Sequence, residues 1–371
     1  MSGLLFTSSW LLKAKTILLL PCLLAAAVSG GCRNAPVAAP KLIQRSSNSD
    51  IPSALSGRVV HPSFDAERAY SQLKKQCEFG PRPLGSPSHE KLRDYLIEQM
   101  KQFADQTITQ QFSYRGMKAT NIIGVFAPEG ASLPVKNPVL LLAHWDTRPV
   151  ADGPNSSELE TGPPFTYGPH GWNRTTPIMG ANDGASGVAA LLEIARILKE
   201  KKPPVPVVIL LVDAEDYGDF RANQGEGEGV ELGARYFAQH PEIPALFGRP
   251  IFGILLDMIG ARHIIIPRET FSHQYAPGTN EKVFGIAHDL GFDLVFRFNE
   301  LQQVGDDHIA LNKAGIPTID LIHPLPFAPY QTTGYTYWHT MKDTADKCAG
   351  ASLKVVGDTL LELLFRETPI H

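Results

Sequence analysis

The sequence predicts an α/β fold: a three-layer sandwich in which a central, mostly parallel mixed sheet lies between helices on both faces. Its 371 residues, 43% of them hydrophobic and 19% charged, can bury a large core. Short apolar segments alternate with segments of helical periodicity along most of the chain. Those apolar segments, dense in Leu, Val and Ile, suit strands that are covered on both faces.

The N-terminal sequence has the features of an export signal, and we do not expect it to be part of the fold. Lys13 and Lys15 precede an apolar run over 17–28, which is too short to span a bilayer comfortably. Small residues then lead to Cys32, as at a bacterial lipoprotein cleavage site. Lipidation of Cys32 and simple cleavage nearby both remain alternatives. We expect an exported protein, which is periplasmic, extracellular or lipid-anchored to a bacterial membrane through Cys32.

The remaining chain divides into a flexible tether and one folded domain. Residues 32–60 are rich in Pro, Ala and Ser with little apolar periodicity, and the domain covers 61–371. The net charge of −4 gives no basic excess, so nucleic acid is not an expected partner. Cys77 and Cys348 either pair in an oxidising compartment or are two unrelated buried thiols, and the second interpretation is slightly favoured.

The predicted elements follow one another with recognisable start and stop signals. A helix over 64–79 ends at a segment rich in Pro and Gly, and Ser86 followed by Pro87 caps a second helix. Strands are predicted over 108–114, 119–126, 138–144, 205–212, 251–258 and 316–322. The other predicted helices are one that follows Asp183, those over 228–240, 280–290 and 306–314, and one near the C-terminus.

Two long connections, 146–179 and 324–338, are predicted to wall a pocket. Both contain several aromatic residues, and the first is also rich in Gly and Pro. Structureless stretches of this length in a compact domain are usually functional or disordered. Their aromatic content argues against disorder.

Acidic and imidazole side chains gather where predicted strands end. The first apolar strand ends at His144, the second leads to an acidic pair at 215–216, and the third ends at Asp257. Ligands of open α/β sheets bind beyond the carboxyl ends of the strands. Asp183 lies in a turn of small residues before a helix, where it is either a first-turn helix acid or a ligand. His339 follows an aromatic-rich connection.

Together these side chains indicate a metal site. Clustered carboxylates repel one another unless a cation or shared protons relieve them. Histidine and carboxylate ligands with an open coordination position suit a catalytic Zn²⁺. Cysteine thiolates are absent from the set, so a closed structural zinc site is not expected.

Five motifs follow one another along the chain: His-x-Asp at 144–146, Gly-Ala-x-Asp-x-x-Ser-Gly at 180–187, the acidic pair at 215–216, Asp-Met-Ile-Gly at 257–260 and Trp-His-Thr at 338–340. In this order they resemble the motifs of the zinc aminopeptidase superfamily. From about Pro81 onward the chain is similar to the glutaminyl cyclases, as a bacterial member of the animal-type group. Features that favour a cyclase over an aminopeptidase are Asp-Asp-His-Ile at 306–309, Trp338 before His339, and Leu-Leu-Asp-Met-Ile-Gly-Ala at 255–261.

The resemblance implies a zinc-dependent glutaminyl-peptide cyclotransferase, which converts the N-terminal glutamine of peptides or proteins to pyroglutamate and releases ammonia. It implies one Zn²⁺ and assigns roles to individual residues. The metal ligands would be Asp183, Asp216 and His339. Glu215 would be the general acid/base, beside an acidic network of Asp257 and Asp306. The wall of the pocket would be formed by Trp338, Phe327 and Phe220.

Two other functions are compatible with the same pattern. In the related aminopeptidases, His144 and Asp257 correspond to ligands of a second metal, so a two-zinc enzyme that hydrolyses N-terminal residues is the first alternative. An inactive binding module of the same fold is the second.

Two positions depart from the animal cyclases. Asp216 stands where those enzymes have Glu, and its shorter stem requires the local backbone to move in. The segment after the acidic pair lacks their pocket tryptophan, and Phe220 is the expected substitute. Surface salt bridges are the favoured interpretation of Arg82 and Arg148, over a place at the pocket entrance.

Overall fold

The computed structural model describes residues 61–157, 164–220, 227–240, 242 and 247–368. The predicted export signal and tether lie outside the described residues, so they stay predictions. No helix within the described ranges is long and apolar enough to cross a membrane. Cys77 and Cys348 are both free thiols.

The described part of the chain contains eight α-helices and ten strands. The helices are α1 (Ala66–Glu78), α2 (Pro87–Phe103), α3 (Ala185–Glu200), α4 (Leu232–Gln239), α5 (Thr270–Tyr275), α6 (Pro277–Asp289), α7 (His308–Lys313) and α8 (Gly350–Arg366). The strands are β1 (Gln106–Tyr114), β2 (Met117–Phe126), β3 (Val139–His144), β4 (Tyr167–Gly168), β5 (Gly171–Trp172), β6 (Val207–Val212), β7 (Phe252–Asp257), β8 (Ile266–Glu269), β9 (Phe296–Gln302) and β10 (Thr318–Ile322).

The central sheet has six strands in the order β1-β2-β6-β3-β7-β10. Strands β6, β3, β7 and β10 run parallel, whereas β2 is antiparallel to both β1 and β6. In register, His144 lies opposite Val212, and Asp257 lies opposite Ile322. The carboxyl ends of the four parallel strands therefore meet at one edge, as the predicted mixed sheet requires.

Alternating residues of β3 show why the sheet carries helices on both faces. Val139, Leu141 and Ala143 face a core that includes α1, α2, α3 and α8, whereas Leu140 and Leu142 face a second core with α4 and α7. Every residue of this strand is buried. A strand covered on both sides needs the continuous apolar run that made it recognisable in the sequence. The predicted three-layer sandwich is confirmed.

Several local features differ from the predictions, and the unpredicted helix α5 is one of them. Strands β8 and β9 pair in a small parallel sheet that was not predicted, because most of β9 is exposed and lacks an apolar alternation. Helix α4 begins at Leu232 instead of 228, since Gly229 (φ 82°) and Glu231 (φ 52°) adopt left-handed backbone that an α-helix cannot contain. The 146–179 connection contains the short β4–β5 hairpin.

Candidate active site and metal centre

Asp183, Asp216 and His339 form a buried group at the carboxyl edge of the sheet. One ligand atom from each lies within 4.8 Å of the others. His339 Nε2 is 3.2 Å from Asp216 Oδ1 and 3.6 Å from Asp183 Oδ2. The Oδ2 atoms of both aspartates are buried and have no hydrogen-bond partner in the described part of the chain. Three connections distant in sequence therefore bring three donor groups to one point.

This donor set fits a zinc ion. Ligand atoms in tetrahedral zinc sites lie about 3.3 Å apart, because each bond is about 2.0 Å long. The separations of His339 Nε2 from the two carboxylates are close to that value. Two carboxylates and one imidazole also leave a fourth position open, as catalytic zinc sites do. A cation there would satisfy the orphaned carboxylate oxygens.

His144, Asp183 and Asp257 form a second buried group beside the first. His144 Nε2 lies 3.3 Å from Asp183 Oδ1 and 3.2 Å from Asp257 Oδ1. Burial disfavours the charged imidazole of His144, but neighbouring carboxylates outweigh it and raise its pKa. Asp183 belongs to both groups, so the arrangement can accommodate one ion or two.

The turn that carries Asp183 is held by the buried carboxylate of Asp343. This carboxylate accepts hydrogen bonds from the backbone N–H groups of Asn182 (2.9 Å) and Asp183 (3.1 Å). The Tyr335 hydroxyl donates to it at 2.6 Å. Burial and the Asp183 charge raise the pKa of Asp343 to about 7. Helix α3 begins at Ala185 without a side-chain cap, so Asp183 is not its capping residue.

Gly184, which follows Asp183, is required by close packing. A Cβ atom at this position would lie 2.6 Å from the His144 ring, well inside van der Waals contact. The absent side chain allows His144 and the Asp183 turn to approach each other. The small-residue motif thus brings the His144 ring and the Asp183 turn together.

The Asp146 carboxylate holds the acidic pair through hydrogen bonds to its backbone, in the same way that Asp343 holds the turn that carries Asp183. Its carboxylate accepts hydrogen bonds from the backbone N–H groups of Glu215 (3.0 Å) and Asp216 (3.2 Å). Just before the pair, Ala214 adopts left-handed backbone with φ 57°. Met258, after Asp257, and His339 itself do the same, with φ values of 48° and 52°. Such conformations in non-glycine residues cluster at functional sites.

Glu215 lies within a set of buried acids. Burial raises its pKa well above the usual range; His144 opposes this shift, whereas Asp216 and Asp306 add to it. Burial likewise raises the pKa values of Asp257 and Asp306. Carboxylates crowded in this way hold protons at pH values where exposed ones are ionised. Glu215 is therefore suited to take up and return a proton.

A cavity of about 500 Å³ opens onto these acids. All three predicted wall residues line it. The Trp338 ring stacks on His339, with centroids 3.8 Å apart, and meets Phe327 edge-to-face at 5.6 Å. The ring centroid of Phe220 lies 5.9 Å from that of His339. Phe327 is 47% exposed and lies at the mouth. Asp183, Glu215, Asp257, Asp306 and His339 also line the cavity.

The interpretation of Arg82 and Arg148 as surface residues is wrong, because both are fully buried. The Arg82 guanidinium donates to the backbone carbonyls of Met179 and Gly180, at the start of the Asp183 turn. Arg148 contacts Asp216. Arginines are seldom fully buried unless paired, and no local sequence pattern marks these two as exceptions.

Asp343→Asn tests how the Asp183 turn is held. The N–H groups of Asn182 and Asp183 bond different oxygens of the Asp343 carboxylate, and asparagine keeps only one of these oxygens, so one of the two buried N–H groups loses its acceptor. We expect the free energy of unfolding to fall by about 1–3 kcal/mol in urea titrations. The matched control is Asp346→Asn, since that aspartate is exposed and its ion pair with Lys347 contributes little. Equal losses for the two variants would contradict this role of Asp343.

The fold and the site together define a metal-dependent α/β enzyme. The family model of Peptidase family M28 matches residues 121–364, and the chain belongs to that family.

Solved structures of named enzymes resemble this chain over most of its length. The glutaminyl cyclase of Bacteroides thetaiotaomicron bound to N-acetylhistamine is 37% identical, with a TM-score of 0.71 over 83% of this chain and 100% of that one. A Zn-dependent exopeptidase from Parabacteroides distasonis is 34% identical, with a TM-score of 0.69 and the same coverage. Zinc is the metal that these relatives imply for the site.

Curated relatives match more distantly. The glutaminyl-peptide cyclotransferase of Boiga irregularis is 28% identical over 193 residues, which are 45% of this chain. The chain spans about half the length of that relative.

Proposed function

We propose that the protein is a zinc-dependent glutaminyl-peptide cyclotransferase acting on peptides or proteins with an N-terminal glutamine. The observation that carries this proposal is the position of Asp306. It lies in the cavity together with Glu215 and Asp257, and it belongs to the Asp-Asp-His-Ile segment that distinguishes cyclases from aminopeptidases. Solved bacterial glutaminyl cyclases that are 37% and 34% identical support it.

The reaction closes a ring within the substrate. The α-amine of glutamine attacks the carbonyl carbon of its own side-chain amide; a C–N bond forms, and the bond to the amide nitrogen breaks. The amine loses a proton and the leaving group gains one, so ammonia departs. A zinc ion held by Asp183, Asp216 and His339 would supply a Lewis acid for the amide carbonyl.

Glu215 carries the proton between these two nitrogens. Its carboxylate lines the cavity, where it can accept a proton from the amine and return it to the leaving nitrogen. Because burial raises its pKa, the protonated form is accessible between the two transfers. Asp257 and Asp306 are the acidic neighbours that complete this environment.

The aromatic wall holds the substrate in its reactive conformation. Attack within one molecule needs no second reactant, so the pocket has to hold a folded glutamine side chain and exclude water. Trp338 and Phe327 form an apolar corner beside His339 that suits this task. Phe220 also lines the cavity, as the expected substitute for the pocket tryptophan of animal cyclases.

A product assay tests the proposal directly. Purified protein with bound zinc is given a peptide that begins with Gln and a matched peptide that begins with Leu. We expect ammonia and a pyroglutamyl peptide from the first and no reaction with the second, as measured by mass spectrometry. Release of a free N-terminal residue from either peptide would contradict the proposal.

A two-zinc aminopeptidase is the second candidate. The group formed by His144, Asp183 and Asp257 favours it, because it could hold another ion beside the first. In that case Glu215 would activate a water molecule for hydrolysis. Two zinc ions per chain with a freed leucine would support this candidate.

We further propose that the protein is exported and carries a lipid on Cys32, on the support of its N-terminal sequence alone. Expressed in bacteria with a labelled fatty acid, the full chain is expected to take up label in the membrane fraction. Cys32→Ser should abolish the labelling. Labelling that persists in this variant would refute a lipid at Cys32.

A further inference from the structure

Arg148 links one of the proposed metal ligands to the connection that follows β3. Its Nη1 donates to Asp216 Oδ1 at 3.2 Å and to the Asp216 carbonyl oxygen at 3.1 Å. The same nitrogen donates to the Gly218 carbonyl at 3.0 Å. Arg148 therefore contacts both the carboxylate and the backbone that carries it.

Asp152 extends this link to a second ligand. Its carboxylate accepts two hydrogen bonds from Arg148, from Nε at 2.6 Å and Nη2 at 2.8 Å. Its Oδ1 also lies 3.3 Å from His339 Nδ1, while His339 Nε2 faces Asp216. A carboxylate on the far nitrogen of an imidazole ligand fixes the ring orientation and increases its basicity.

The Arg148 guanidinium also supports the wall of the pocket. It lies 5.2 Å from the ring centre of Phe220 and 5.2 Å from that of Trp172. A guanidinium at this distance from an aromatic ring is held by cation–π attraction. Phe220 in turn borders His339.

We propose that Arg148 and Asp152 form a positioning pair that sets the geometry of the zinc site by holding Asp216 and His339, and that supports Phe220. The inference rests on the proposed ligand set. Arg148 holds the carbonyls of Asp216 and Gly218, so it fixes the backbone that carries Asp216, the aspartate that stands where animal cyclases have the longer glutamate. Planar arginine suits this task because it can bond two carboxylates at once.

Zinc affinity measured on folded protein tests the proposal. The variants are Arg148→Gln, Arg148→Lys, Asp152→Asn and the Arg148→Gln/Asp152→Asn double variant, each titrated against a competing chelator. Changes to residues that orient metal ligands cost about 10–100-fold in affinity. We expect losses of that size for Gln and Asn and an intermediate loss for Lys. The losses in the double variant should not multiply, because the two residues act as one unit.

Two further measurements separate positioning from general destabilisation. With Co²⁺ in place of zinc, the visible spectrum of the Asp152→Asn protein should shift, because the imidazole is reoriented. Leu96→Ala, which opens a cavity in the core beneath α2, should lower the melting temperature but leave both the zinc affinity and the Co²⁺ spectrum unchanged. Asp152→Asn changes the shape of the side chain very little, so it can still test the positioning role if the Arg148 variants fail to fold.

The outcomes distinguish this inference from the proposed ligand set. If Asp216→Asn weakens zinc binding but the Arg148 and Asp152 variants stay within twofold of the natural protein, the positioning role is wrong and the ligand set stands. If Asp216→Asn also leaves affinity unchanged, the ligand set is wrong and the inference falls with it. If Leu96→Ala lowers the zinc affinity as much as Asp152→Asn does, the positioning role of Arg148 and Asp152 is also wrong.

Discussion

Replacement of Glu215 by glutamine is expected to abolish cyclisation while zinc stays bound. The amide has nearly the same shape, but it cannot accept the proton of the attacking amine or return one to the leaving nitrogen. General acid/base catalysis contributes about 10²–10⁴-fold, so kcat should fall by at least that range. Glu215 is not among the three proposed zinc ligands, so metal content should be unchanged. The measurements are ammonia release and zinc analysis of the same preparation.

Glu98→Gln provides the matched control. It makes the same chemical change on the exposed side of α2, away from the cavity, and should leave both activity and zinc content unaltered. Retained turnover in Glu215→Gln would refute its role as the base. Loss of zinc together with activity would instead make Glu215 a metal-binding residue.

Replacement of one buried histidine, His339, should weaken zinc binding, whereas replacement of the other, His144, should not. His339→Gln removes one of three proposed ligands, and we expect its zinc affinity to fall by more than about 100-fold, beyond the loss typical of changes outside the ligand set. His144→Gln should retain one zinc per chain, because His144 is a member of the second group and not of the proposed zinc ligand set. Chelator titration and metal analysis of both purified proteins give the comparison.

The histidine pair also decides the number of metals. Both rings are buried and both lie within 4 Å of Asp183, so each variant controls for the disturbance that the other causes. If the natural protein holds two zinc ions and His144→Gln holds one, the proposal of a single zinc ion is wrong. The second candidate function, a two-zinc aminopeptidase, then gains support. If His339→Gln keeps full affinity, the ligand set itself is contradicted.

The apolar strands and the polar side chains at their carboxyl ends were predictable from the sequence. Strands buried on both faces need unbroken apolar runs, and the parallel arrangement carries their ends to one edge. For that reason the order of the elements was enough to predict a metal site at this edge from a larger set of acidic and imidazole groups, whereas the choice of Asp183, Asp216 and His339 as ligands depended on the family resemblance. The motif order added the resemblance to the cyclases.

The residues that hold the site in place were not predictable. Asp343 and Asp152 act through hydrogen bonds to neighbouring backbone or ring atoms, and nothing in their local sequence marks such contacts. Arg148 was misplaced because an arginine in a long connection is usually exposed. Strand β9 was missed because its pairing with β8 buries little of it, so no hydrophobic period was present.

The left-handed residues Ala214, Met258 and His339 have a consequence for protein engineering. Each such conformation costs of order 1–3 kcal/mol, and the surrounding contacts must maintain it. Glycine at 214 or 258 would relieve part of this cost, but it would also free the backbone beside Glu215 and Asp257. Thermostability and turnover therefore compete at these turns. Libraries selected for heat resistance alone should accumulate glycine there and lose activity.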